Sequence, residues 1–179
     1  MPTARRVIYW HTVAAVVMIG LAGTFVLRRI HRYDTLIVKE AREYGIDPRL
    51  VSAVIWKESR FDAGCVGAKG EIGLMQVSDI AGHEWAAAHD IQDFVSDDLF
   101  DPAVNVRAGA WYLARAIDAW SDRKDPLPYA LAQYNAGRAN ALRWAAKDEG
   151  RARLFAETIT YPTTKKYVRD VLARYRGRI

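Results

Sequence analysis

From Val7 to Leu27 the chain runs for 21 residues without a charged side chain (VIYWHTVAAVVMIGLAGTFVL). At a helical rise of about 1.5 Å per residue this stretch is roughly 31 Å long, the thickness of a bilayer's hydrocarbon core. Arg5-Arg6 and Arg28-Arg29 bracket it, and Tyr9 and Trp10 stand where interfacial aromatics belong. His11, near one end, reads as an interfacial histidine. We expect residues 1–30 to form a membrane anchor with one transmembrane helix. A cleaved signal ending at the small residues Gly20-Leu21-Ala22 is the competing reading, but the apolar run continues past them to Leu27. Arginine counting alone leans toward a cytoplasmic side for the rest of the chain, because Arg28, Arg29 and Arg32 all follow the span.

Residues 31–179 leave 149 residues, enough for one domain with a real core and too few for two. The whole chain is 51% apolar and 26% charged, which excludes a disordered or low-complexity polymer. A single cysteine, Cys65, rules out an internal disulfide framework and a cysteine-based zinc site. Four of the 26 basic residues flank the apolar run, leaving 22 against 21 acids, so nucleic acid is not an expected partner. Charge is nevertheless segregated. Residues 79–101 carry seven acids and no Lys or Arg, whereas residues 138–179 carry 11 bases against four acids. This reads as solvated faces, or as a basic surface for an anionic polymer.

Helical punctuation dominates these residues. Asp47-Pro48 and Asp101-Pro102 each place a capping carboxylate before a proline suited to the first helical position. Tyr44-Gly45 closes the preceding segment. The helix opened by Pro102 runs toward Trp120, with Val104, Ala108, Trp111 and Tyr112 expected on its buried face. Pro126 and Pro128 precede a short helix, YALAQYNA, closed by Gly137. A last helix from about Thr164 to Tyr175 carries Tyr167, Val168, Val171 and Leu172 on one face. No stretch shows sustained β alternation between hairpin turns, so an all-α class is expected.

One carboxyl breaks the pattern. Val51, Val54, Ile55 and Glu58 follow a 3-4 spacing, so Glu58 continues the apolar stripe and points inward, unlike Lys57 and Arg60. A sheltered carboxyl is costly unless it is paired or used, and burial raises its pKa toward the range a general acid needs. The residues alone leave open a structural ion pair with a nearby arginine.

The blocks around Glu58 resolve into a pattern. Trp56-Lys57-Glu58-Ser59-Arg60-Phe61 is followed by Gly73-Leu74-Met75-Gln76 and later by Gln133-Tyr134-Asn135-Ala136-Gly137. With the Asn105, Gly109, Tyr112-Leu113 helix between them, they resemble the catalytic domain of the soluble lytic transglycosylases, the SLT-type lysozyme-like family, from about Tyr33 to Tyr175. The resemblance implies an all-α lysozyme-like domain that needs no cofactor or metal. It makes Glu58 the catalytic acid, puts Met75, Gln76 and Tyr134 in the sugar cleft, and assigns Asn135 and Gly137 to holding a turn. Two departures stand out. Family members commonly have a serine where this chain reads Val66-Gly67, and Glu-Thr-Arg where it reads Thr163-Thr164-Lys165. The second departure bears on Tyr161, a further cleft candidate.

The reaction implied is cleavage of the β-1,4 bond between N-acetylmuramic acid and N-acetylglucosamine without water, giving 1,6-anhydro-muropeptides. Glycosidases ordinarily use two carboxylates. Here the muramyl 6-hydroxyl is the nucleophile, so Glu58 suffices as acid and then base. Asp62, four residues on, reads as a loop or capping acid. Glycan strands and the membrane are the expected partners, in a bacterial inner membrane with the domain in the periplasm. Local wall remodelling for a secretion, conjugation or pilus apparatus is the expected setting. A lysozyme-type hydrolase, a non-catalytic wall-binding anchor and a cytoplasm-facing scaffold are the alternatives. Other signals fail on spacing. His83-Glu84 and His89 are too far apart to clamp zinc from one helix face. Ser121 and Lys124 match S-x-x-K only within a charged linker, and Gly64, Gly67 and Gly70 lack the Lys-Ser/Thr of a phosphate loop.

Overall fold

The computed structural model describes residues 17–18, 31–148 and 152–177. Apart from Val17 and Met18, the expected span Val7–Leu27 lies outside the described residues, and among those described no helix is long and apolar enough to cross a membrane. The chain divides into two units, Met1–Thr35 and Leu36–Ile179.

Eight helices are described: α1 (Asp34–Glu43), α2 (Pro48–Glu58), α3 (Asp79–Ala88), α4 (Pro102–Asp118), α5 (Leu127–Ala136), α6 (Arg138–Ala145), α7 (Ala152–Thr158) and α8 (Pro162–Tyr175). A 3-10 turn, Ser96–Phe100, leads into α4. No strand occurs among the described residues. Two isolated bridges, Val66 to Ile72 and Ile72 to Val77, fold the segment after α2 back on itself.

The Asp-Pro devices act as expected. Asp47 accepts the Arg49 N–H at 2.9 Å, and Asp101 accepts the Ala103 N–H at 2.7 Å. Gly45 takes a left-handed conformation at φ 68° just past α1, and Gly137 does so at φ 83° past α5. Three expectations need correction. The inner face of α4 is Asn105, Val106, Ala108, Gly109, Ala110, Leu113 and Ala116, whereas Val104, Trp111 and Tyr112 are only half-buried. Neighbours cover α4 on more than one side, so small residues replace the single aromatic stripe. The helix after the prolines begins at Leu127 and takes Pro128 into its first turn. Lys57, expected outward, is drawn to Asp170 of α8 at 2.7 Å.

At the centre of the domain α5 packs against α4, α6 and α8, while α2 packs on α8. Tyr129, Ala130, Leu131 and Ala132 are wholly buried, as in a helix surrounded by others. Glu40 is 1% exposed and grips Arg107 of α4 through two hydrogen bonds of 2.9 and 3.0 Å. That pairing holds its carboxyl below the usual range against the opposing effect of burial.

Asn105 on α4 ties the loop after α2 to the core. Its side chain is wholly buried, accepts the Met75 N–H at 2.8 Å, and donates to the Ile72 and Leu99 carbonyls at 2.8 Å each. Beside it the backbone approaches closely. A Cβ at Gly73 would lie 2.3 Å from the Asn105 amide nitrogen, and one at Gly109 would lie 2.6 Å from the Met75 sulfur. Replacing Asn105 with Ala strands the buried Met75 N–H and Leu99 carbonyl and leaves the Ile72 carbonyl with only the Val77 N–H. We expect a loss of roughly 3 kcal/mol, measured by urea denaturation. A loss within experimental error would show that the loop is held by other means.

Candidate functional site

Glu58 is the last residue of α2, at the negative end of the helix dipole, where a carboxylate charge is disfavoured. The buried Ser59 follows. Its hydroxyl donates to the Leu74 carbonyl at 2.8 Å, stitching the end of α2 to the Gly73–Gln76 turn. Arg60 and Phe61 then adopt φ of 55° and 63°, uncommon for side-chain-bearing residues. Arg60 stacks 3.4 Å from the Trp56 ring centre, and Phe61 is buried, so both unusual turns are held by packing.

A cavity of about 430 Å³ opens over Glu58. The loop supplies Gly67, Lys69, Glu71 and Gln76, α4 supplies Tyr112, and α5 supplies Tyr134 and Asn135. Desolvation pushes the Glu58 carboxyl from the ordinary 4.5 up to about 7. The Tyr167 hydroxyl on α8 and the Lys57 ammonium oppose the rise, whereas the Glu71 charge adds to it. The structural alternative, an arginine ion pair, is absent at Glu58 among the described residues; the arginine pairing is at Glu40.

Tyr134 donates its hydroxyl proton to the Met75 carbonyl at 2.9 Å, leaving its oxygen as an acceptor. Its ring meets Tyr112 edge-on, 5.8 Å between centres. Burial, with Glu58 nearby, holds the hydroxyls of Tyr134 and Tyr167 well above the ordinary tyrosine pKa. Gln76 has φ 48°, and its amide nitrogen donates to the Cys65 and Gly73 carbonyls at 3.1 and 3.0 Å.

The expected residues therefore separate. Glu58, Gln76 and Tyr134 line one cavity. Met75 does not, because its side chain is wholly buried against Gly109 and serves the site only through its backbone. Tyr161 is 45% exposed, edge-on to Trp144 at 5.2 Å, and outside this cavity's wall. Asp62 accepts the Gly64 N–H at 3.2 Å as a loop acid. Asn135 does more than hold a turn, since it lines the cavity while accepting the Thr164 hydroxyl at 2.8 Å. Thr164 thus ties the altered block, in the first turn of α8, to the cavity wall. Lys165 and Lys166 instead border a separate groove beside α8.

Glu71 escaped the sequence reading. Its visible signal is a lone charge between Gly70 and Ile72, in a turn whose next residues are Gly73-Leu74-Met75-Gln76. Ile72 is buried and bridged on both sides, which sets Glu71 on the outer side of the loop.

The Transglycosylase SLT domain family matches residues 35–154. "Membrane-bound lytic murein transglycosylase F" of Desulfosudis oleivorans is 36% identical over 112 residues, covering 61% of this chain and 23% of that protein. "Membrane-bound lytic murein transglycosylase C" of Shigella sonnei is 29% identical over 154 residues, covering 80% of this chain and 42% of that protein. An inactive glutamate-to-glutamine mutant of the lytic transglycosylase Slt from Pseudomonas aeruginosa superposes with a TM-score of 0.72 at 27% identity, covering 81% of this chain and 23% of that one. The chain thus spans less than half the length of these relatives.

A carboxyl raised from 4.5 to about 7 binds more protons folded than unfolded in that interval. Stability therefore falls as pH rises from about 4.5 to about 7. Glu58→Gln removes this penalty, so it should stabilise the protein by roughly 3 kcal/mol at pH 8 and by little at pH 4. Urea melts at both pH values measure the difference; an equal effect at both would contradict the sheltered carboxyl.

Proposed function

Because the chain belongs to the transglycosylase SLT domain family, we propose that it is a peptidoglycan lytic transglycosylase with Glu58 as its single acid and base. The observation that carries this reading is a carboxyl at the floor of a sugar-sized cavity, desolvated until it keeps its proton to about pH 7. Protonated Glu58 donates to the oxygen linking N-acetylmuramic acid to N-acetylglucosamine as the C1–O bond breaks. The substrate's acetamido group meets the charge developing at C1. Ionised Glu58 then takes the proton of the muramyl 6-hydroxyl as its oxygen bonds C1, closing the 1,6-anhydro ring and restoring the acid. Tyr112 and Tyr134 supply ring surface for a sugar, and Gln76 and Asn135 supply polar groups at its edges. Positioning of the substrate's own hydroxyl replaces a second protein nucleophile. The inactive glutamate-to-glutamine mutant of the Pseudomonas relative agrees with a mechanism that hangs on one glutamate.

Residues 7–27 act, in this reading, as a single-pass anchor in a bacterial inner membrane with the domain in the periplasm. Both relatives are named as membrane-bound enzymes, and the wall substrate lies outside the cytoplasm. That assignment outweighs the arginine count after the span. The setting we favour is local opening of the wall for an envelope-spanning secretion, conjugation or pilus machine.

Two measurements test these statements. Full-length protein in mild detergent, incubated with purified sacculi, should release muropeptides carrying the anhydro end by mass spectrometry, and Glu58→Gln should lower release at least 100-fold, on the order of the loss expected for a general acid. Products with a reducing end would make the enzyme a hydrolase. Binding to sacculi without release, indifferent to Glu58, would make it a wall-binding module. A C-terminal alkaline phosphatase fusion should be active in cells if the domain faces the periplasm; an inactive fusion places it in the cytoplasm.

A further inference from the structure

The loop opposite Glu58 is built around a second carboxylate. Gly67 carries no side chain, and a Cβ there would lie 2.5 Å from a Glu71 carboxylate oxygen and 2.7 Å from the Gln76 amide oxygen. The absent side chain is therefore the space in which both groups sit. The Glu71 carboxylate is held there by the Lys69 N–H at 3.0 Å, while its backbone carbonyl accepts the Gly67 N–H at 2.7 Å. Gln76 cannot turn its amide nitrogen toward Glu71 without giving up its bonds to the Cys65 and Gly73 carbonyls. Among the described residues no ion pair forms at Glu71.

Charged and titratable groups face Glu58 from α2, α4, α5, α8 and the loop. On α2 itself Lys57 is turned to Asp170, and just past its end Arg60 lies over Trp56. From α4 and α5 come the neutral hydroxyls of Tyr112 and Tyr134, and from α8 that of Tyr167. Asp170 on α8 is neutralised by Lys57 and Lys166. The loop contributes Lys69 and Glu71, and Glu71 is the negative charge that acts on Glu58 across the cavity.

Resting on the reading of Glu58 as the acid, we propose that Glu71 is a positioning residue of this reaction, a seated carboxylate that resists ionisation of Glu58 and so keeps the proton on it for delivery to the glycan. Gly67 belongs to the same device, since a side chain there would expel the carboxylate.

Two readouts on the full chain test this. One is the protonation midpoint of Glu58, followed by carbon-13 NMR of the side-chain carboxyl. The other is the alkaline limb of the pH profile for initial muropeptide release from sacculi. Glu71→Gln should move both toward acid by about half a pH unit, a shift that shrinks as salt is raised. Gly67→Ala, which leaves the charge in the chain but displaces it, should move both in the same direction. A Glu58 midpoint and limb unchanged in folded Glu71→Gln, or unchanged in folded Gly67→Ala if the first variant does not fold, overturn the proposal while leaving an active enzyme's assignment intact. A midpoint that shifts in a protein releasing no muropeptides would instead sustain the charge coupling and remove the proposed activity.

Discussion

On the proposed reading of Glu58, its carboxyl must be both dry and reachable, and the domain is arranged around that demand. Putting Glu58 at the end of α2 meets it in two ways. The preceding turns of the helix bury Val51, Val54 and Ile55 completely, so the carboxyl inherits their shelter without lying in the core itself. A helix C-terminus also carries the negative end of the helix dipole, which acts in the same direction as desolvation in favouring the proton. The same residue at the start of a helix would be held ionised. The fold therefore keeps an acid where folding alone would prefer an amide, a local conflict that the proposed chemistry accounts for.

The loop that closes the cavity has no regular structure to hold it, so side chains take over the work of a ladder. Asn105 satisfies three backbone groups from α4, Ser59 fastens Leu74, and Tyr134 caps the Met75 carbonyl. Of these contacts Tyr134 belongs to the cavity wall, and the three fasten the loop to α4, to the end of α2 and to α5. Because the buried groups are matched, the loop can sustain positive φ at Gln76 and the close approaches at Gly73 and Gly109. Rigidity here sets the distance between Glu58 and whatever the loop presents to it.

What could be read in the sequence follows from how local its cause is. The Asp-Pro starts, the glycine stops and the inward place of Glu58 depend on spacings within one helical turn, and each survives in the structure. Met75 and Glu71 depend on how the 65–77 loop folds against α4. A shared motif marked Met75 as a cleft residue, but the missing side chain at Gly109 draws it into the core, and its backbone does the work instead. Glu71 carries no periodic signature, since the two bridges that orient it pair residues five or six apart in an irregular turn. Tyr161 sits at the start of α8, where contact with Trp144 takes its ring away from the acid.

The two departures from the family pattern have different physical weight. At Thr163-Thr164-Lys165 the change is absorbed, because Thr164 keeps a hydroxyl bonded to Asn135 and the wall beside Tyr134 stays tied to α8. At Gly67 the absence of a side chain is filled by Glu71 and Gln76, so a neutral, short group on the cavity wall gives way to a longer, charged one. A carboxylate with no ion-pair partner among the described residues, seated in the same cavity as a sheltered carboxyl, costs stability through like-charge repulsion. On the proposed reading of Glu58 as the acid, that cost is the counterpart of a proton kept ready in the cavity.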